Sequence, residues 1–335
     1  MMDRRRFMSL GCRTLAAGLL GATGLPGRAR ADEREEHAAQ DSLAAAGLAP
    51  AGGADAARAA GASSWPDLVI ARGPAKEALP RALAAIGGLG RFIPRGKVVA
   101  IKPNASFPAP PEWGATTHPE VLAALIAACL EAEARRVLVV DHTMGDAARC
   151  FERTGTAAAV APFEKAKLVS LDDHAMYQEV AIPQARALRS TEIAQAVLRA
   201  DAWINLPTAK SHNATGVSFG LKNLMGLIWD RQTLHRDMDI HAGIADLARV
   251  LRPQLTILDA AYLLKTGGPT GPGDVEAYGG IVVGSDPVAV DAFAAGLTTW
   301  NRQMVKPGEI AHLRMAAEQG TGTLDLGSLK IQELT

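Results

Sequence analysis

Residues 204–235, INLPTAKSHNATGVSFGLKNLMGLIWDRQTLH, hold the densest group of side chains able to do chemistry. Lys210 and Lys222 bring ammonium groups, His212 and His235 imidazoles, and Asn205, Asn213 and Asn223 amides that both donate and accept hydrogen bonds. Lysines beside asparagines suit an anion, a carboxylate or a phosphate, and can stabilise an oxyanion that develops during a reaction. Lys210 and His212 are the candidate catalytic pair, His212 as general acid or base because it lies two residues from the lysine. Lys102, Asn104, Asn205, Lys222 and Asn223 are the candidate ligand-binding residues. His212, His235, His241 and Asp259 form a candidate set for one divalent metal, since imidazole and carboxylate suit zinc, iron or manganese, although their spacing follows no established signature.

The elements that must position these groups read as an alternation. Short β-branched runs at 68–71, 98–101, 137–140, 168–171, 202–205, 255–258 and 281–283 predict strands, and 179–183 a further edge or antiparallel strand. Helical patterns lie at 75–86, 119–132, 191–199, 240–251 and 288–297, the second with Pro119 in its first turn. Strands alternating with helices predict an α/β fold, a mostly parallel sheet with helices on both faces in a single large domain. The strand over 202–205 is expected to break at Pro207, releasing Lys210, His212 and Asn213 into a loop before a helix that carries Lys222 and Asn223.

Nearly every predicted strand ends in polar residues: Lys102 with Asn104, Asp141-His142, Asp172-Asp173-His174, Asn205, Asp259, and Ser285-Asp286. In a parallel sheet these ends share one crevice, where ligands bind. Asp and Asn at such places also cap helices and make turns, and that reading is preferred for Asp172, Asp173 and Asp286. Lysine does neither, so Lys102 and Lys210 point to a site. The run GGPTGPGD at 267–274 lacks the G-K-[ST] ending of a phosphate loop and reads as an irregular loop, either a lid or a plain excursion. Ser218 sits in no G-x-S-x-G elbow, and no G-x-G-x-x-G follows a strand, so neither a serine hydrolase nor a dinucleotide site is supported.

The N-terminus concerns address. Arg4-Arg5-Arg6-Phe7-Met8, a short apolar stretch and Ala29-Arg30-Ala31 read as a twin-arginine signal over 1–31, too short to span a bilayer. The expected partners are therefore the twin-arginine export machinery and the location periplasmic, with no membrane association after the signal is removed. Loss of that segment leaves 29 basic and 34 acidic residues, a net of −5 with no long basic run, which disfavours nucleic acid. Residues 32–64 read as an Ala/Gly-rich linker and 65–335 as the folded domain. Cys129 and Cys150, the two cysteines left, permit one disulfide and no thiolate cage.

IKPN at 101–104, TTHPEVLAALI at 116–126, VVD at 139–141, ADAWINLPTAKSH at 200–212, GVSFGLKNLMG at 216–226, IADL at 244–247 and SDPVAVDAFA at 285–294 resemble, as an ordered series, the family of domain-of-unknown-function 362 proteins. The resemblance runs from about residue 68 to the C-terminus. It implies no settled activity. Many members carry fused ferredoxin-type cysteine motifs, which this chain lacks, so no iron–sulfur cluster is expected from it alone. Three readings stay open: an enzyme acting on a small anionic substrate, with or without a metal; a ligand- or metal-binding protein without turnover; and a redox or maturation accessory that meets a redox protein partner.

Overall fold

The computed structural model describes residues 64–335. The twin-arginine signal and all but the end of the linker lie outside the described residues. The strands are β1 (Leu68–Arg72), β2 (Val98–Pro103), β3 (Arg136–Asp141), β4 (Ala166–Ser170), β5 (Tyr177–Ala181), β6 (Ser190–Ala194), β7 (Ala202–Leu206), β8 (Thr208–His212), β9 (Gly216–Ser218), β10 (Leu255–Leu264), β11 (Val275–Glu276), β12 (Gly280–Gly284) and β13 (Ile331–Leu334). The helices are α1 (Ala75–Ala85), α2 (Pro119–Glu131), α3 (Ala147–Arg153), α4 (Thr156–Val160), α5 (Gln195–Leu198), α6 (Gly220–Asn223), α7 (Arg231–Arg236), α8 (Ile240–Val250), α9 (Pro287–Ala295) and α10 (Ala311–Glu318).

The main sheet runs β13-β1-β12-β10-β7-β2-β3-β4, with β8, β9 and β11 attached through β10. The run β10-β7-β2-β3-β4 is parallel. Successive side chains on a strand face opposite ways, and the two cores divide accordingly. Val99, Ile101, Val137, Val139, Ala202 and Ile204 pack with α1 and α2 in one core. Ala100, Val140, Trp203 and Leu258 join α8, α9 and α10 in the other. The fold is thus an α/β domain with a mostly parallel sheet covered on both faces, as the alternation predicts.

Three local expectations change. The helix predicted over 191–199 is β6 followed by a single turn, α5, because Thr191 and Ile193 pair with β5 in a separate two-stranded antiparallel sheet. The extra strand expected at 179–183 is that partner, β5. Lys210 and His212 lie on a strand rather than in a loop: Pro207, which has no N–H to give the ladder, divides β7 from β8, and β10 pairs with each in turn. Finally, β12 runs antiparallel to β10, with Gly284 beside Thr256. Asp286 follows the end of β12 and caps α9 through the amides of Val288 and Ala289, the role preferred for it. Cys129 and Cys150 are both buried and unpaired.

Candidate functional site

Neighbouring parallel strands bring β2 and β7 into a register that sets Lys102 directly opposite Asn205. Both side chains are fully buried, and a charge taken out of water must find partners. Lys102 Nζ finds Asp141 Oδ1 at 2.7 Å, the carbonyl of Pro103, and Asn223 Oδ1 at 3.3 Å. Asp141 also accepts from the amide of Ala105 through its second oxygen at 2.7 Å. Burial pulls the Lys102 ammonium below its ordinary range, and the Asp141 carboxylate opposes that pull.

Asn223 ties this layer together. Its Nδ2 donates to Asn205 Oδ1 at 2.9 Å and to the Lys102 carbonyl at 3.2 Å, while its Oδ1 accepts from Asn104 Nδ2 at 3.1 Å. Asn205 Nδ2 in turn donates to the carbonyl of Gly220, at the start of α6. The same turn is held by Asp291 of α9, whose two oxygens accept from the amides of Gly220 at 2.7 Å and Leu221 at 2.8 Å. The chain after Asn223 passes so near the ion pair that a Cβ on Gly226 would lie 2.5 Å from Lys102 Cε and 2.6 Å from Asp141 Oδ1. Glycine there is a condition of the close approach.

Lys210, also buried, donates to Asn104 Oδ1 at 3.1 Å, to the carbonyl of Ala115, and to the carbonyl of Pro269 at 3.1 Å. Burial, aided by the charges of Lys222 and Lys102, lowers its ammonium to about 7. Its third acceptor belongs to the loop over 267–274. That loop is pinned: Gly268 N donates to Ser211 Oγ at 3.1 Å, and a Cβ on Gly268 would lie 1.9 Å from the Ser211 carbonyl oxygen. In this position the loop is a wall of the site.

Lys222 is different. It is 8% exposed, yet among the described residues it makes no ion pair and no hydrogen bond. Burial and the nearby Arg231 guanidinium lower it to about 8. Its charge lowers Lys210, His212, His235, His241 and His312, which stand on β8, α7, α8 and α10. Arg231 itself is occupied, donating to the carbonyls of His142 at 2.7 Å and Thr143 at 2.9 Å.

Hydrogen bonds fix which nitrogen of each imidazole is free. His212 Nδ1 accepts from the amides of Ala214 at 3.1 Å and Thr215 at 3.4 Å, so its proton is on Nε2. Burial first, then Lys222 and Lys210, lower this ring to about 3, so it stays neutral and donates through Nε2–H. His235 Nδ1 lies 2.8 Å from the carbonyl of Arg231, which can only accept; the proton is on Nδ1 and Nε2 keeps its lone pair. Burial lowers His235 as well.

The structure brings Lys102, Asn104, Asn205, Lys210, Asn223 and Lys222 to one end of the sheet, with His212, His235 and His241 around Lys222. It does not assemble the expected metal set. Among the described residues no three His, Cys, Asp or Glu side chains are placed to hold one ion. Asp259 is spent on the amides of His118 at 2.6 Å and Ala261 at 2.9 Å, and His212 turns Nδ1 to its own backbone. Asp141 stands where the strand ends were expected to converge, whereas Asp291, Arg231 and His312 were not legible as parts of this region. His312 lies far along the chain from His241, and its one local sign is a histidine inside the buried stripe of α10 with Leu313 and Ala316. A surface recess bounded by Trp113, Arg149 and Arg153 lies elsewhere and includes none of these residues.

Known proteins give context for this geometry. A thylakoid-associated protein of Synechocystis is 25% identical over 223 residues, which cover 62% of this chain and 65% of that protein's own length. The lactate racemase apoprotein of Thermoanaerobacterium thermosaccharolyticum superposes with a TM-score of 0.37 at 16% identity, over 57% of this chain and 49% of its own. That likeness is too slight to bear on the site. The profile of one family, described as a domain of unknown function, matches residues 99–296, from β2 to just past α9, and so takes in every strand end described above; the chain belongs to that family, DUF362.

Proposed function

We propose that the protein is an enzyme acting on a small anionic substrate, a carboxylate or phosphate, held at Lys222. The observation that carries this reading is a largely buried lysine whose ammonium has no carboxylate partner among the described residues, with the Arg231 guanidinium near it. Leaving a buried charge unpaired is costly, and a ligand that supplies the missing charge recovers that cost. Lys102 and Lys210 are saturated by Asp141, Asn104 and carbonyl groups, so they build the floor of the site rather than grip the ligand.

Roles follow from the free nitrogens. His212 donates from Nε2 to the anion or to a developing oxyanion. His235, not His212, has the lone pair of a general base. A base and hydrogen-bond donors around one anion suit proton transfer at an atom beside the acid group. We further take the site to work in the periplasm, on the strength of the signal pattern at Arg4-Arg5-Arg6.

Thermal unfolding of the protein and of Lys222→Met, in a panel of small carboxylates and phosphates, tests the reading. A ligand at a hundred times its Kd should stabilise the native protein by about 2.7 kcal/mol and the variant not at all. Conversion of that ligand, followed by NMR, marks an enzyme; a ligand that binds unchanged marks a binding protein. Equal stabilisation of protein and variant would remove Lys222 from the site.

A further inference from the structure

The loop over 267–274 has a sequence that fits either a lid or a plain excursion, and the proposed function leaves it unused. Its neck is closed by the chain itself. β10 and β11 pair Leu263 with Glu276 and Leu264 with Val275, and Lys265 N donates to the carbonyl of Asp274 at 2.8 Å. Asp274 N donates to Thr266 Oγ1 at 2.9 Å, and further out Gly271 N donates to the carbonyl of Gly267 at 3.0 Å. The two arms touch: a Cβ on Gly273 would lie 1.8 Å from the Thr266 carbonyl oxygen. The loop therefore holds its own shape, as compact surface loops with close ends do.

What it lacks is an anchor in the core. No residue from 265 to 277 is buried, whereas every residue of β8 and of β12 is. Segments with few buried apolar contacts open at a free-energy cost well below that of global unfolding. Among the described residues, two hydrogen bonds join the body of the loop to the rest of the chain, and both go to β8. Gly268 N donates to Ser211 Oγ at 3.1 Å, and Lys210 Nζ donates to the carbonyl of Pro269 at 3.1 Å.

The second of these bonds decides what the loop covers. A lysine ammonium has three hydrogens, and Lys210 meets three acceptors: Asn104 Oδ1, the Ala115 carbonyl and the Pro269 carbonyl. Asn104 and Ala115 are buried, whereas Pro269 is half-buried and belongs to the loop. With the loop in place Lys210 is 1% exposed.

We propose that loop 267–274 is a strap over Lys210, fastened by Ser211 Oγ and the Lys210 ammonium, which lifts as a unit from its neck at Lys265 and Asp274 to open that end of the site. Closed, it satisfies the third hydrogen of Lys210. Lifted, it leaves that hydrogen to water or to an oxygen of a ligand. The inference does not rest on the anion reading of Lys222.

Acetylation of the full protein by acetic anhydride, followed lysine by lysine with mass spectrometry, tests the strap. Lys102 is as buried as Lys210 but lies under no loop of this kind and is paired with Asp141, so it reports unfolding of the whole domain. In the native protein Lys210 should react at least about tenfold faster than Lys102, because local opening is the cheaper event. Ser211→Ala removes the acceptor of Gly268 N and leaves the three acceptors of Lys210 in place. It should raise the ratio of the Lys210 rate to the Lys102 rate by about two- to tenfold, the change expected for one lost hydrogen bond. Equal rates for the two lysines in the native protein, or a ratio that Ser211→Ala leaves unmoved, would overturn the proposal.

Discussion

At the scale of single residues, the three lysines of the site have opposite energetic signs. Lys102 is a buried charge with a buried partner, and removing one member of such a pair costs about 3–5 kcal/mol because the other is stranded. Lys102→Met should therefore lower stability by that order in urea unfolding. Lys222 is a largely buried charge with no such partner among the described residues, so Lys222→Met should raise the stability of the anion-free protein by about 1–3 kcal/mol, roughly 2–4 °C in Tm for each kcal/mol, while abolishing ligand stabilisation. A residue whose loss strengthens the fold and empties the site is there for function. This contrast was not readable in the sequence, where Lys102, Lys210 and Lys222 stand alike as ammonium groups near asparagines. Only the register of β2 beside β7, and the arrival of Asp141 on β3, tells the structural lysine from the available one.

Among the elements, the short turn from Gly220 to Leu227 does most to build the site. It is fastened at its start by Asp291, at Asn223 by Asn205 and Asn104, and at Gly226 by contact with the Lys102–Asp141 pair. Gly226→Ala would force that pair apart, and overpacking of this kind costs about 1–3 kcal/mol. Denaturant unfolding should show that loss, and ligand binding should weaken with it, since Lys222 rides on the same turn. Strands over 68–71, 98–101, 137–140 and 202–205 were legible because β-branched runs between helical patterns have few other solutions. The segment over 191–199 was not: its residues suit either element, and the pairing of Thr191 and Ile193 with β5 decides it. Asp286 keeps the capping role preferred for it, and β12, which runs antiparallel, is where the rule of shared strand ends fails.

At the scale of the whole molecule, the buried lysines make stability depend on pH in a definite direction. Burial holds Lys222 at about 8 in the folded protein, below the unfolded value of about 10.4. Between those values the unfolded chain binds more protons, so stability rises with pH across that window and is lost as pH falls through the folded value. Asp291, raised to about 7 by burial, has given up its proton before the window opens. Lys210, lowered to about 7, adds to the rise, and Cys129, raised to about 12, opposes it. The share of Lys222 is therefore read as a difference: without ligand, the stability of the native protein relative to Lys222→Met should increase from about pH 8 to about pH 10. Sulfate should reverse the trend, stabilising the protein near neutrality, where Lys222 is charged, and losing its effect above about pH 9. A difference from Lys222→Met that stays flat or falls across this window would mean that Lys222 is not the buried charge described. The overall fold, a sheet with its polar strand ends gathered at one place, was legible from the alternation alone. The grouping of α7, α8 and α10 around Lys222 was not, because it joins residues 222, 235, 241 and 312 through packing that no local pattern records.

The central claim is that Lys222 waits for an anion, and locating one is the most direct test. Crystals of the protein soaked in selenate, with anomalous data collected at the selenium edge, would show where a tetrahedral oxyanion settles. The account predicts a strong peak within hydrogen-bonding distance of Lys222 Nζ and His212 Nε2, absent in Lys222→Met. Selenate found only on surface arginines such as Arg149 and Arg153, with Lys222 left bare, would contradict it.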